Sequence, residues 1–142
     1  MPETGSPSPA DRRFEQALPA APESVPRLRH GVTRFATLAG ASDRVRRKVA
    51  LAVSEACTNA VVHAYRGPRS RGRGGEVQVC AEQRDRCLEV TVSDTGCGMA
   101  PRADSPGLGL GAPLMAVLAD HMEITENAAG TGTTVRLAFA LT

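Results

Sequence analysis

The chain has 142 residues, 42% of them hydrophobic and 23% charged, with a formal net charge of +2 at pH 7. That length suits one domain with a real core and excludes two substantial ones. No apolar run reaches the roughly 18 residues of a membrane-spanning helix, and the first residues lack the basic-then-apolar order of a signal peptide. A cytoplasmic protein with no membrane partner is therefore expected. The near-neutral total hides an asymmetry: residues 1–73 carry thirteen cations against six acids, and residues 74–142 carry four against nine. Part of the excess is Arg66, Arg69, Arg71 and Arg73, spaced by Gly, Pro and Ser. No stacking aromatics accompany this run, so a solvated loop is expected, with attraction to an acidic protein as the second reading and no direct nucleic-acid partner. Cys57, Cys80, Cys87 and Cys97 form no C-x-x-C pair and no metal-ligand spacing, which leaves reduced thiols.

Residues 1–11 hold Pro2, Pro7 and Pro9 and are expected to form a disordered tail ahead of a domain over 12–142. Phe14, Gln16 and Leu18 indicate a short strand closed by Pro19. Ser24 is placed to cap a helix with Pro26 in its first turn. Val25, Leu28, Val32, Phe35 and Leu38 give that helix its apolar stripe, and Gly40 sits where a C-terminal cap belongs. Ser42 caps a second helix that extends to about Tyr65. Alternation over 77–81 and 88–92 predicts two strands joined at Arg84-Asp85-Arg86. A third apolar helix is predicted over 112–120, then a strand pair over 124–127 and 134–141. The order β-α-α-β-β-α-β-β predicts an α+β, two-layer α/β sandwich, with helices on one face of a mixed, mostly antiparallel sheet.

Within the second helix, Glu55, Asn59 and His63 recur every four residues and therefore share one helical line. Their neighbours Val49, Val53, Ala56, Ala60 and Val61 are apolar, so this helix lies against the core. Polar groups on its inward side need a partner, and a ligand with a metal ion is one. A solvated stripe is the ordinary alternative. Asp94-Thr95-Gly96-Cys97-Gly98 follows a strand and suits a carboxylate receiving an exocyclic amine, although a tight turn explains the same residues. Gly107-Leu108-Gly109-Leu110-Gly111 opens the third helix, where free N–H groups favour phosphate. It does not match the dinucleotide-binding spacing, and no Gly-Lys-Ser/Thr occurs anywhere. Gly130-Thr131-Gly132-Thr133 precedes the last strand and reads as a hairpin turn or as a hydroxyl near a base.

Taken together and in this order, the four boxes resemble the Bergerat-fold (GHKL) ATPases, the histidine-kinase-like superfamily. Ser54-Glu55-Ala56-Cys57-Thr58-Asn59-Ala60 with His63-Ala64-Tyr65 is most similar to the anti-sigma-factor serine/threonine kinases of the RsbW/SpoIIAB type. The resemblance covers about residues 12–141 and implies ATP and Mg²⁺ as cofactors. By it, Asn59 would hold the metal, a hard ion suited to an amide oxygen. Glu55 would be the general base that takes the proton of the attacking hydroxyl. Asp94 would bind the adenine amine, Gly96, Gly98 and Met99 would admit the ring, and Thr133 would assist. Gly107, Leu108, Gly109, Leu110 and Gly111 would wrap the phosphates. His63 would orient the nucleotide or pack against the sheet.

The resemblance further implies a sigma factor and a STAS-domain anti-anti-sigma protein as partners, and a homodimer formed through the first strand and helix. Two departures stand out: the lid between Gly98 and Gly107 is short, and Asp104, Ser105 and Pro106 occupy the place of a second Arg before Gly107, leaving Arg102 as its sole cation. An ATP-binding regulatory module with weak or no kinase activity is the alternative that these departures motivate. A histidine-kinase fragment is disfavoured for want of a helical hairpin carrying a phosphoacceptor His, and a gyrase-like clamp for want of a transducer domain.

Overall fold

In the computed structural model, residues 12–66, 75–94, 113–126 and 132–142 are described, for 63–66 and 126 by their backbone only. The sheet follows from period-two patterning. Strands β1 (Arg13–Pro19), β2 (Glu76–Arg84), β3 (Cys87–Asp94), β4 (His121–Glu126) and β5 (Thr133–Ala140) lie in the order β1-β2-β3-β5-β4. Every pairing among the described residues is antiparallel, where a mixed, mostly antiparallel sheet was expected. Val77, Val79 and Ala81 of β2, Leu88, Val90 and Val92 of β3, and Val135, Leu137 and Phe139 of β5 all point to the buried side. Each such Val or Leu contributes about 1.5–3 kcal/mol on burial. The opposite face carries Gln78, Cys80, Thr91 and Arg136.

Helices α1 (Ser24–Leu38) and α2 (Asp43–Arg66) form the second layer. Leu28, Val32 and Ala36 of α1 and Val49, Ala52, Val53, Ala56 and Val61 of α2 are buried between the layers. This two-layer α+β arrangement agrees with the sequence expectation. The predicted C-terminal cap of α1 is present in full. Gly40 has φ 95°, its N–H reaches the Thr37 carbonyl at 3.0 Å, and the Ala41 N–H reaches the Ala36 carbonyl at 3.0 Å. This is a Schellman motif, which needs a residue that tolerates the left-handed conformation. The N-terminal cap of α2 also forms, with the Val45 N–H donating to Ser42 Oγ at 3.2 Å.

Three boundaries differ from the sequence reading. Ser24 is not a cap: Glu23 holds that position without a side-chain bond, and Ser24 is buried as the first helical residue. The preceding turn satisfies the helix start instead, through Ser24 N–H to Ala21 O at 2.9 Å and Val25 N–H to Pro22 O at 3.2 Å. The third helix ends earlier than predicted, at 118, its described residues running 113–118. Asp120 leaves it for the sheet, its N–H on the Ala138 carbonyl at 2.9 Å and its carboxylate accepting the Ala140 N–H at 2.7 Å. That tether starts β4 at His121, three residues before the predicted position. The β2–β3 turn is the pair Asp85-Arg86, with Asp85 at φ 55°.

Close packing ties β1 to α1. A Cβ on Gly31 would meet Phe14 Cζ at 2.5 Å and Gln16 Oε1 at 3.0 Å, so glycine is what lets the strand lie this close. Phe14 and Phe35 stack at a tilt with ring centroids 6.3 Å apart. The expected tail over 1–11 and the Arg-rich segment over 67–74 lie outside the described residues.

Candidate functional site

α2 crosses the inner face of the sheet near β3 and β5, and its small residues Ala56 and Ala60 permit that approach. Facing them are Val92 and Asp94 from β3 and Thr133 and Val135 from β5. With Asn59 these residues line a narrow recess with room for about 20 Å³, on the order of one water molecule. Asp94 and Thr133 meet because the register that sets Ser93 against Thr134 continues one residue further along both strands. Period-two alternation then turns Asp94 and Thr133 inward with Val92 and Val135. On the other side of the sheet, Ser93 Oγ and Thr134 Oγ1 share a hydrogen bond at 3.1 Å.

The recess holds three polar side chains, each nearly inaccessible: Asn59 at 8%, Asp94 at 5% and Thr133 at 8% exposure. Asn59 Nδ2 and Thr133 Oγ1 are buried without a hydrogen-bond partner among the described residues. Such groups cost about 1–3 kcal/mol each when left unsatisfied, so their retention points to an external partner. The walls made by Ala56, Ala60, Val92 and Val135 are apolar. Polar groups set among apolar walls match the chemistry of one donor-and-acceptor edge of a planar heteroaromatic ligand, although the recess is too small to enclose the ring.

Glu55 sits one turn before Asn59 on α2, half-buried and outside the recess lining. Its neighbour Ser54 accepts a hydrogen bond from Arg29 Nη1 at 3.3 Å, which fastens this turn of α2 to α1. His63 lies on α2 one turn after Asn59, and its side chain is outside the described residues, as are Gly96, Gly98, Met99, Gly107, Leu108, Gly109, Leu110 and Gly111. Cys57, two residues before Asn59, faces the core. Burial pushes its thiol up to about 12, which leaves it no nucleophilic role at neutral pH.

A metal at this recess would not find a carboxylate cage: among the described residues no three His, Cys, Asp or Glu side chains converge. A single amide beside a phosphate-bearing ligand suits Mg²⁺, which keeps waters and uses few protein groups. An amide with an unused buried end fits that need, since rotation exchanges its oxygen and nitrogen.

Of the apolar walls, Ala56 and Ala60 are expected from the sequence to face the core, whereas the placement of Val92 and Val135 opposite them follows from the strand register.

The fold and the recess define a nucleotide-binding α/β sandwich, and the chain belongs to the histidine kinase-like ATPase domain family, whose sequence profile matches residues 18–139. It is 34% identical over 135 residues to the serine-protein kinase RsbW of Bacillus pumilus, covering 80% of this chain and 78% of that one. It is 35% identical over 105 residues to the anti-sigma F factor of Clostridium acetobutylicum, covering 66% and 70% of the two chains. The crystal structure of the RsbU and RsbW domains of a Mycobacterium tuberculosis protein shares the fold, with a TM-score of 0.66 at 24% identity over 91% of this chain and 32% of that one.

Proposed function

We propose that this chain is an ATP-binding anti-sigma factor with protein serine/threonine kinase activity, which phosphorylates a STAS-domain antagonist and sequesters a sigma factor. The observation that carries the nucleotide site is the pair of unsatisfied buried atoms, Asn59 Nδ2 and Thr133 Oγ1, on either side of Asp94 in one recess. Asp94 and Thr133 would recognise the adenine edge, and Asn59 would hold Mg²⁺. The metal would neutralise charge on the transferring phosphoryl group. Gly96, Gly98 and Met99 would border the base, Gly107, Leu108, Gly109, Leu110 and Gly111 the phosphates, and His63 would support the nucleotide side of α2.

Glu55, half-buried one turn before Asn59, would accept the proton of an incoming Ser or Thr hydroxyl. That oxygen forms the new bond to the γ-phosphorus as the bridging bond to ADP breaks. The names of the two relatives support both halves of this reading, kinase and anti-sigma factor. For a homodimer, the support is the groove between α1 and β1, where Phe14, Pro26, Phe35 and Leu38 present apolar surface. Leu38 is 79% exposed there. A domain over 12–142 and a cytoplasmic location complete the proposal; no described helix is long and apolar enough to cross a membrane.

Incubation with labelled ATP and a STAS-domain partner tests the reading. Wild type should label the partner, and Glu55→Ala should lower the rate by about 10²–10⁴-fold with ATP affinity preserved. Equal labelling by both proteins would remove Glu55 as the base. Tight ATP binding with no labelling by wild type would establish the alternative, a binding module that acts by partner capture alone.

A further inference from the structure

The cations of the sheet and of the helices are treated differently by the fold. On the strands, Arg13 pairs with Glu15 and Glu82, Arg84 with Glu82, and Arg136 with Glu123. On the helices, Arg46 pairs with Asp43 and Arg29 binds Ser54. Arg27, Arg34, Arg44, Arg47 and Lys48 have no ion pair or hydrogen bond from their side chains among the described residues. Helices α1 and α2 together contain only Asp43 and Glu55 as acids. The helical layer is thus strongly basic: Arg27 and Arg34 line the groove between α1 and β1, and Arg44 and Arg47 are exposed on α2.

On α2 the exposed Arg44, Arg47, Leu51 and Thr58 share one line with the half-buried Glu55. These five follow each other at spacings of three or four, with the half-buried Lys48 beside Arg47. Leu51 is 46% exposed between the cations and Glu55. The cations crowd the first turns of the helix against its own dipole, where only Asp43 offsets them. Local stability alone does not favour that placement.

We propose that the outer line of α2 is the docking track for the phosphoacceptor protein, and that the segment it takes is acidic with an apolar residue over Leu51. This rests on the reading of Glu55 as the base. At about 1.5 Å per residue, Arg47 and Arg44 lie roughly 12 and 17 Å along the helix from Glu55. Acidic residues of the acceptor are therefore placed at those separations from its reacting hydroxyl. A nucleic-acid strand fits less well, because no aromatic side chain flanks the line and Leu51 offers no base-stacking surface.

The test uses the whole chain without ATP, so it stands apart from the labelling experiment. A fluorescein-labelled peptide Asp-Glu-Asp-Glu-Leu-Ala-Ser, which when extended sets its Leu about 7 Å and its acids about 10–20 Å from the Ser, its counterpart with Lys for each acid, and an oligothymidylate are titrated by anisotropy. The acidic peptide should bind, and salt should weaken it. Arg44→Glu/Arg47→Glu should cut its affinity by about tenfold or more, and Arg44→Gln/Arg47→Gln by less, with the thermal melt of each variant reporting folding. Arg84→Glu/Arg86→Glu makes the same change in net charge at the β2–β3 turn and should leave binding within about twofold. The proposal is overturned if the two charge reversals weaken binding equally, if the lysine peptide or oligothymidylate binds as well as the acidic peptide, or if the acidic peptide does not bind.

Discussion

Replacing Asn59 by Ala should stabilise the nucleotide-free protein while abolishing its response to ATP and Mg²⁺. The amide nitrogen is buried without a partner among the described residues, and relieving that is worth about 1–3 kcal/mol. Ala is also the better residue inside α2, by roughly 0.5 kcal/mol. Against this stands the packing lost with the amide group, about 1 kcal/mol, kept small because the side chain borders an existing recess. The net gain is about 1 kcal/mol, which raises Tm by roughly 2–4 °C for a chain of this size. With ATP·Mg²⁺ at about 100 times its Kd, wild type should gain about 2.7 kcal/mol and the variant close to none, so the order of stability inverts. Thermal or urea melts with and without ATP·Mg²⁺ measure both effects. A nucleotide-free variant that melts below wild type would refute the unsatisfied amide, and a variant that keeps its ATP·Mg²⁺ stabilisation would refute Asn59 as the metal ligand.

Thr133→Val removes the other unpartnered group at nearly constant volume. It should leave the nucleotide-free stability equal or higher by about 1 kcal/mol and weaken ATP by about tenfold in calorimetric titration, in keeping with one lost hydrogen bond. Cys57 predicts alkaline behaviour. Unfolded, its thiol loses its proton from about pH 8.5, whereas folded it holds the proton to about 12. The stability it contributes is therefore intact below pH 8.5 and declines as pH climbs toward 12, at up to about 1.4 kcal/mol per pH unit. Cys57→Ala should flatten that decline in urea melts, and an unchanged slope would exclude the thiol as its source. Gly40→Ala places a Cβ at φ 95° in the Schellman cap and should cost about 1 kcal/mol without altering ATP affinity.

Much of the chain was legible locally. The Ser42 cap and the Gly40 stop act over three to five residues, so the residues themselves carried enough information to place the ends of α1 and α2 there. The strands of β2 and β3 were visible as alternation, and their hairpin as a short polar gap. Ser24 misled because a cap is a competition: the backbone turn over residues 21–25 satisfied the helix start, and burial claimed the side chain. The early start of β4 was hidden for a similar reason, since Asp120 is held by Ala138 and Ala140, residues some twenty positions away.

The sequence by itself determined which residues were eligible for a nucleotide site, because polar groups in apolar surroundings and glycines at element ends are local, countable features. Only the tertiary structure decided that Asn59, Asp94 and Thr133, from three separate elements, share one buried recess, while Glu55 on the same helical line as Asn59 is half-buried outside its lining. It also decided which cations find carboxylates and which are left on α2. The physical reason is common to both. Burial and pairing depend on strand register and on where a helix crosses the sheet, and those are set by contacts among residues distant in the chain.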